Sequence, residues 1–478
     1  MQIDYNYKSG GMKMNDKHWK LNMNKRLDDF WVFPKLTKVE NTRKYEDSFF
    51  DFLNNEDETK TETNLYIHIP FCDSACIFCP YYKSHGQQNY RNKLVPYVDA
   101  IIAEMRKYAN TTYLKKKKIA SVHFGGGNPF LLPISELNRI IKTIKEVFDV
   151  EVKDNWTMEG SINSIKDVEY VKCLLENGIN RISFGIQTFK EDIRIRMNIK
   201  TQLDEIYRGV EVLKQGGLTE YCIDMMYNLP DQTMEDFITD LEKVTELDPY
   251  HIDIYNMAVF PNTYIDKLIH TEGIFKIIPS NQNQAKMFVE GNRWLIEHGY
   301  KQIITNTYSR RQKEVHIGDK LYLNNCNVIG IGVSSRGYID GYVYKNVCDI
   351  DEYIEVVSRD FYPANLAYIC SEEQHNDRKM VFFPILMQIA KSEIPDYERY
   401  KERIEYIIES GFAYWEHDVL KLTKEGIFWS GNISTLFIDE QRWKTYINSF
   451  LLAARKKVNP YNEDSMGKEF VQLEDWDK

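Results

Sequence analysis

Residues 68–82 read HIPFCDSACIFCPYY and place three cysteines within eight residues. Cys72, Cys76 and Cys79 follow an apolar, strand-like run at 65–69 in a C-x3-C-x2-C spacing. Structural zinc needs four ligands, usually in two pairs, and a redox CxxC pair would leave Cys72 unexplained. A [4Fe–4S] cluster normally takes four thiolates, so three would leave one iron open to an outside ligand. The spacing favours a cluster used for chemistry, with zinc still open at this point.

The composition is that of a globular protein with two or three domains. A net charge of −10 gives no electrostatic footprint for nucleic acid. No apolar run approaches the roughly 18 residues of a membrane span, and the first twenty residues lack the apolar region of a secretory signal. We therefore expect a cytoplasmic protein. Five further cysteines are scattered singly and are predicted to be small buried hydrophobic residues: Cys173, Cys222, Cys326, Cys348 and Cys370.

Strand and helix patterns alternate after the cysteines with a period of about 30–40 residues, which is the size of a strand–helix unit. Such alternation predicts a parallel sheet covered by helices, here a full or partial TIM-like (β/α) barrel. The predicted strands are 65–69, 119–124, 155–159, 181–186, 221–226, 251–257 and 302–307. The predicted helices are 135–148, 168–177, 203–215, 234–247 and 283–298.

Chemistry in such barrels gathers at the carboxyl ends of the strands. Six candidate positions follow or close a predicted strand, and we expect them to face one site. They are Cys72, Gly125–Gly127, Glu159, Gln187, Asp224 and Ala258.

The pattern changes beyond about residue 347. Helices are predicted at 351–358, 378–391 and 397–410, then a hairpin at 412–422 and a helix capped by Thr423. This order predicts a small winged-helix-like α+β domain, although its basic stretch at 442–457 is too weak a footprint for nucleic acid. The predicted division is an N-terminal extension at 1–62, a barrel core at 63–347 and a C-terminal domain at 348–478.

Seven motifs in a fixed order carry a resemblance to the radical S-adenosylmethionine (SAM) superfamily, and more closely to its HemN-like group. That group includes oxygen-independent coproporphyrinogen III oxidases, HemW-type haem chaperones, anaerobic haem-degrading enzymes and class C radical SAM methyltransferases. The motifs are YIHIPFCDSACIFC (66–79), HFGGGNP (123–129), TMEGSIN (157–163), NRISFGIQTF (180–189), IDMMYNLPDQT (223–233), IGIGVSS (329–335) and LT-x-x-G (422–426).

The resemblance implies a [4Fe–4S] cluster on Cys72, Cys76 and Cys79, with SAM on the fourth iron. It also implies an electron donor such as flavodoxin or ferredoxin. Residues matching a first SAM site are Tyr66, Gly126, Gly127 and Glu159. Residues matching a second SAM site are Phe78, Gly127, Asn128, Gln187, Asp224 and Ala258.

Several positions depart from the pattern of the group. The arginine expected about twelve positions after Gln187 is Ile199, which weakens the case for a second SAM, and the threonine after the glycines is Asn128. The fourth cysteine typical of coproporphyrinogen oxidases is Tyr81, and the chaperone motif His-Asn-x-x-Tyr-Trp is absent from 321–330, which reads LYLNNCNVIG. Arg336 stands where an apolar residue is usual and fits either an anionic ligand or a surface ion pair.

These features predict a radical SAM enzyme that modifies a tetrapyrrole or a specialised metabolite by methyl or methylene transfer or by hydrogen abstraction. The alternatives are a coproporphyrinogen III oxidase-type decarboxylase, a HemW-type haem chaperone and a zinc-bound winged-helix regulator. The expected partner is a small-molecule substrate, without nucleic acid. Its contacts are expected from 1–62, from 309–327 and from the C-terminal domain.

Overall fold

The structure is a computed structural model that describes residues 27, 49, 51–55, 62–73, 76–79, 81–115, 117–150, 156–259, 264–269, 274–311 and 316–438. The predicted N-terminal extension and the basic stretch at 442–457 therefore lie wholly or mostly outside the described residues. Within the described part of the chain, no helix has both the length and the apolar character needed to cross a membrane.

The described chain alternates strands with helices through its first two thirds. In chain order the strands are β1 (Glu62–Ile69), β2 (Phe71–Cys72), β3 (Ser84–His85), β4 (Lys118–Gly126), β5 (Asp149–Val150), β6 (Trp156–Gly160), β7 (Arg181–Gln187), β8 (Tyr221–Tyr227), β9 (His251–Asn256), β10 (Lys301–Gln302), β11 (Thr307–Ser309), β12 (Asn327–Ile331), β13 (Arg336–Ile339), β14 (Tyr342–Asn346), β15 (Ala364–Ile369), β16 (Gln388–Ala390), β17 (Ala413–Glu416) and β18 (Val419–Leu422). The α-helices are Gln87–Ala109, Thr112–Lys115, Ile134–Val147, Val168–Glu176, Glu191–Arg196, Leu203–Gln215, Met234–Glu246, Tyr264–Lys267, Asn281–Glu297, Ile317–Leu323, Ile350–Ser358, Glu372–Leu386, Tyr397–Glu409, Lys424–Phe428 and Ser430–Thr435.

A large mixed sheet forms the centre of the molecule. Its neighbours run β10-β11-β9-β8-β7-β6-β4-β1-β12-β13-β14-β15, and the stretch from β9 to β12 is parallel throughout. No pairing among the described strands joins the two ends of this series. The predicted α/β fold is therefore confirmed, and the carboxyl ends of the parallel strands share one edge of the sheet.

Local capping signals fix where several helices begin. Thr233 accepts a hydrogen bond from the Asp236 N–H at 3.1 Å, and the Asp236 carboxylate accepts one from the Thr233 N–H at 3.0 Å. This reciprocal pair satisfies two N–H groups that the first turn leaves open. The predicted cap at Thr423 is also confirmed, because its hydroxyl accepts from the Gly426 N–H at 3.1 Å.

The predicted strand at 302–307 is wrong. The chain turns back there, because the Ile303 N–H donates to Thr307 O at 2.8 Å and the Gln302 side chain donates to Thr305 O at 2.9 Å. The result is an antiparallel pair, β10 with β11, and β11 then pairs antiparallel with β9.

The predicted helix at 378–391 is also wrong in its bounds. It begins at Glu372, where Ser371 supplies the cap, and ends at Leu386 because Met387 adopts a left-handed backbone with φ of 62°. The five scattered cysteines form no disulfides, but only Cys222 is fully buried and the others are half-buried.

A second apolar core lies in the C-terminal region. It packs around the three-stranded sheet β16-β18-β17 and helices Glu372–Leu386 and Tyr397–Glu409, which agrees with the predicted α+β domain. The buried guanidinium of Arg378 lies 3.9 Å from the Tyr338 ring centroid and so ties this core to β13. The predicted boundary at residue 347 stays a prediction; strands on its two sides, β14 and β15, pair with each other.

Thr423→Ala should lower the free energy of unfolding of the C-terminal core by about 1 kcal/mol, the usual cost of losing an N-cap. The hydroxyl also donates to Gly411 O at 2.8 Å, so the loss affects two contacts. Denaturant unfolding followed by the fluorescence of Trp415 and Trp429 would measure it. Thr423→Ser keeps the hydroxyl and should restore most of the stability; equal losses in both variants would contradict the capping role.

Candidate active site

The three clustered cysteines occupy one loop at the carboxyl end of β1. Cys72 ends the short strand β2, which pairs with β3, and the Cys79 N–H donates to Cys76 O at 3.2 Å. All three thiols are half-buried and none forms a disulfide. The sequence-predicted cluster ligands are therefore presented together by a single segment at the active edge of the sheet.

This cysteine loop packs on an apolar cluster formed by the end of β8 and the segment after β7. Phe78 is half-buried there, and the Ile77 N–H donates to Met197 O at 3.2 Å. Ile199 belongs to the same cluster and is only 9% exposed. An arginine buried at position 199 without a partner would be costly. Isoleucine, which stands here in place of the arginine expected from the HemN-like group, suits the apolar packing beneath the cysteine loop.

The glycine turn after β4 lies directly against the segment that leads into the cysteine loop. Gly126 has a φ of +113°, and a Cβ there would lie 2.7 Å from the His68 ring. A Cβ on Gly127 would lie 2.5 Å from Phe71 O, and the Gly127 N–H donates to Ile69 O at 2.8 Å. Only glycine allows this approach.

Three polar side chains converge at Gly125. The Glu159 carboxylate occupies the space that a Cβ at Gly125 would take, and such a Cβ would also lie 3.0 Å from the Tyr66 ring and 3.1 Å from His123 Nε2. His123 Nε2 lies 3.4 Å from Glu159 Oε1. Tyr66 Oη lies 3.1 Å from His68 Nδ1. The structure therefore brings two predicted SAM contacts, Tyr66 and Glu159, to the glycine turn.

Glu159 is a carboxylate with an open face. Burial alone would raise its pKa, but the nearby His123 and the Gly126 N–H outweigh burial and lower it. Burial would lower the pKa of His123, and Glu159 outweighs that effect and raises it. Because the Glu159 side chain remains 41% exposed, it is available to a cationic ligand.

The Asn128 side chain forms hydrogen bonds within the protein. It is fully buried; its amide donates to Ser164 Oγ at 2.8 Å, and its carbonyl accepts from the Ser161 N–H at 3.1 Å. Its backbone N–H donates to Phe71 O at 2.7 Å. The side chain thus links the turn after β6 to the start of the cysteine loop, and a ligand contact by Asn128 stays a prediction.

The other three predicted second-site residues follow the sheet from β7 to β9. Gln187 ends β7 with a φ of +70°, and buried Arg194 holds that end by donating to Ile186 O at 2.6 Å. Ala258 lies just beyond β9 and is half-buried. Asp224, however, lies in the middle of β8 and not at its end. Its carboxylate accepts a hydrogen bond from Ser183 Oγ at 3.2 Å.

Two polar residues of β9, Asp253 and Tyr255, were not singled out from the sequence. Asp253 pairs in register with Asp224, and ligand atoms of Cys222, Asp224 and Asp253 lie within 4.8 Å of one another. Burial raises the pKa of both carboxyl groups. Tyr81 and Tyr255 remain 68% and 39% exposed. The alternation of His251, Asp253 and Tyr255 along an otherwise apolar strand was the available signal.

Residues 316–323 lie away from the cysteine loop. His316 Nε2 lies 2.9 Å from Thr157 Oγ1, and the Asn64 amide donates to Gly318 O at 2.9 Å. These contacts are near the starts of β6 and β1, at the end of the barrel opposite Cys72. The stretch at 309–327, expected to contact substrate, therefore lies partly at the far end of the barrel. Arg336 opens β13, and its role stays a prediction.

Comparison with known proteins agrees with this geometry. The family described as the radical SAM superfamily matches residues 66–244. The chain is 27% identical over 390 residues to the haem chaperone HemW of Buchnera aphidicola, covering 79% of this chain and 98% of that protein. It is 25% identical to anaerobilin synthase of Escherichia coli O157:H7, covering 77% and 82%. It is 26% identical to oxygen-independent coproporphyrinogen III oxidase of Escherichia coli K12, covering 62% and 65%.

A solved structure shares the fold. Coproporphyrinogen III oxidase (HemN) from Escherichia coli superposes with a TM-score of 0.72 at 21% identity, covering 86% of this chain and 99% of that one. The family match, the relatives and the fold agree with the order of the sequence motifs. Residues 66–244 therefore form a radical SAM domain, which implies a [4Fe–4S] cluster and SAM, and the chain is similar to HemW and to HemN-like coproporphyrinogen oxidases.

Proposed function

We propose that the protein is a radical SAM enzyme that holds its cluster on Cys72, Cys76 and Cys79 and modifies a tetrapyrrole or specialised metabolite inside the barrel. The observation that carries this proposal is the meeting of three features at one edge of the sheet: the cysteine loop, the glycine turn and the half-exposed Glu159. When bound, the cluster and SAM supply a one-electron cleavage that yields a carbon radical able to abstract hydrogen.

The residues present fit these cofactors. The three thiols form no disulfide and lie on one short segment, so they can ligate the same cluster. The glycine turn packs against His68 and Phe71 and so holds the start of the cysteine loop beside Glu159. Glu159 stays ionised through neutral pH because its pKa is lowered, and it complements the SAM ammonium.

Gln187, Asp224 and Ala258 support a second ligand beside the first. They lie on β7, β8 and after β9, which continue the sheet away from Glu159. Tyr81, two residues after Cys79, adds a side chain that is 68% exposed beside the cysteine loop. The reaction proposed first is methyl or methylene transfer from a second SAM, and the second is hydrogen abstraction from a propionate-like side chain.

A haem chaperone is the second candidate function. The similarity to HemW extends over 98% of the Buchnera protein, more of the relative's length than for the coproporphyrinogen oxidase. The chaperone motif is absent from 321–330, which favours the enzyme. Tight haem binding without turnover of SAM would favour the chaperone instead.

Anaerobic reconstitution with iron and sulfide should load about four irons per chain, and dithionite with SAM should then yield 5′-deoxyadenosine. Cys72→Ser, Cys76→Ser and Cys79→Ser should each lose the cluster, as measured by iron content and absorbance. Cys173→Ser, at a half-buried thiol on helix Val168–Glu176, is the matched control and should keep it. Zinc in place of iron, or a cluster unaffected by the three substitutions, would overturn the proposal.

The products of the same assay should separate the reactions, and mass spectrometry would measure them. With a tetrapyrrole added as methyl acceptor, S-adenosylhomocysteine together with 5′-deoxyadenosine is the expected result and identifies a second SAM as methyl donor. 5′-Deoxyadenosine alone would identify hydrogen abstraction of the decarboxylase type. Neither product, in a protein that binds haem tightly, would identify the chaperone.

Glu159→Gln should weaken SAM binding about tenfold or more, since a hydrogen bond to a charged group is worth about 1.5–3 kcal/mol. Because the pKa of Glu159 is lowered, its carboxylate stays charged from pH 8 down through the ordinary glutamate range, near about pH 4.3. The Glu159 carboxylate itself therefore does not titrate between pH 6 and 8, and equilibrium binding compared at one pH in that range measures the loss of its charge. Glu169→Gln, on an exposed helix face beside Lys172, is the control. Equal affinities in the two variants would contradict the assignment.

A further inference from the structure

Helix Gln87–Ala109 presents two fully buried polar side chains to the turn that follows β12. Tyr97 is 0% exposed and Glu104 is 1% exposed. They lie seven residues apart, which is two helical turns, so they share one face. Both contact the turn Gly332–Ser335, more than 220 residues further along the chain.

The Glu104 carboxylate collects three donors. The Gly332 N–H and the Asn346 side chain donate to it at 2.8 Å each, and the Tyr353 hydroxyl also donates. Asn346 donates in addition to Gly332 O and to Ser335 Oγ, both at 3.0 Å. Burial raises the pKa of Glu104 to about 7, against the effect of these three donors. Burying a carboxyl group costs free energy unless it is hydrogen-bonded. The buried Glu104 therefore indicates that its contacts with the Gly332–Ser335 turn are needed to hold that turn in place.

Tyr97 connects the same turn to the end of β1. Its hydroxyl donates to His68 O at 2.7 Å and accepts from the Val333 N–H at 3.0 Å. Gly332 has a φ of +100°, and a Cβ there would lie 2.6 Å from Tyr97 Oη and 2.7 Å from His68 O. The turn is thus packed tightly against β1.

The other side of β1 carries the glycine turn. β1 lies between β4 and β12 in the sheet, and the His68 ring is packed against Gly126. The turns after β4 and β12 therefore flank the strand end from which the cysteine loop begins. Tyr97 contacts this strand end directly through His68 O.

We propose that Tyr97 and Glu104 are positioning residues of the SAM site, which hold the Gly332–Ser335 turn and the end of β1 at the spacing that SAM requires. This inference rests on the proposed function. Neither side chain touches SAM; both act through backbone atoms of Gly332, Val333 and His68. Removing either one leaves buried donors without acceptors and lets the turn move away from β1.

The test uses Tyr97→Phe and Glu104→Gln in the full-length, reconstituted protein. Both should keep the iron content of the wild type and bind SAM about tenfold more weakly, the effect of losing roughly 1.4 kcal/mol. SAM binding changes the electron paramagnetic resonance spectrum of the reduced cluster. At a fixed SAM concentration both variants should lose this spectral change, and a roughly tenfold higher SAM concentration should restore it.

Asp377→Asn is the matched control. Asp377 is a fully buried carboxylate in the C-terminal core that accepts from the Tyr400 hydroxyl at 2.6 Å and from Arg399 at 3.0 Å. The variant should lose thermal stability but keep the affinity for SAM. Equal SAM affinity in wild type, Tyr97→Phe and Glu104→Gln would overturn the inference, as would an equal loss in Asp377→Asn.

Hydrogen exchange on the cluster-free protein separates this inference from the proposed function. The amides of Gly332 and Val333 should exchange faster in Glu104→Gln and Tyr97→Phe, and those around Gly411 should not. Unchanged exchange would overturn the holding role whatever SAM does. A wild-type protein that binds no SAM would overturn the proposed function, and with it the role of these residues in a SAM site.

Discussion

The close approach of the glycine turn to the β1–β2 segment is the constraint on which the site depends. Gly127 packs on the backbone of Phe71, and Gly126 packs on His68, at distances that exclude any side chain. Because β4 pairs with β1, this contact fixes the start of the cysteine loop relative to Glu159 on β6. The cysteine loop, the glycine turn and the carboxylate therefore form one unit, although 87 residues separate Cys72 from Glu159.

The sequence could predict most of the barrel because its elements are locally consistent. Helix Leu203–Gln215 matches its prediction residue for residue, and strands β4, β6, β7, β8 and β9 lie where apolar runs predicted them, whereas the two-residue strand β5 was not predicted. The two errors, at 302–307 and 378–391, have another cause. A backbone turn at Ile303–Thr307 reverses the chain direction, and the left-handed backbone of Met387 ends the helix. Neither conformation changes the spacing of apolar residues, which is the signal that the predictions used.

The same distinction applies to the site. Cysteine spacing and consecutive glycines are local signals, so Cys72–Cys79 and Gly125–Gly127 could be singled out from the sequence. Glu104 could not, because a glutamate on an amphipathic helix is ordinarily exposed. Its burial depends on Gly332 and Asn346, which lie 228 and 242 residues away. Polar groups whose partners are distant in sequence carry no local pattern, and these are the groups that position the site.

Departures from the pattern of the group differ in physical meaning. Ile199 and Asn128 are buried and contact protein, one beneath the cysteine loop and one between it and the turn after β6. Both side chains therefore have packing or hydrogen-bond partners within the protein. Tyr81, by contrast, is 68% exposed and lies two residues after Cys79. Of these three departures, it is therefore the one whose side chain is accessible to a small molecule beside the cysteine loop.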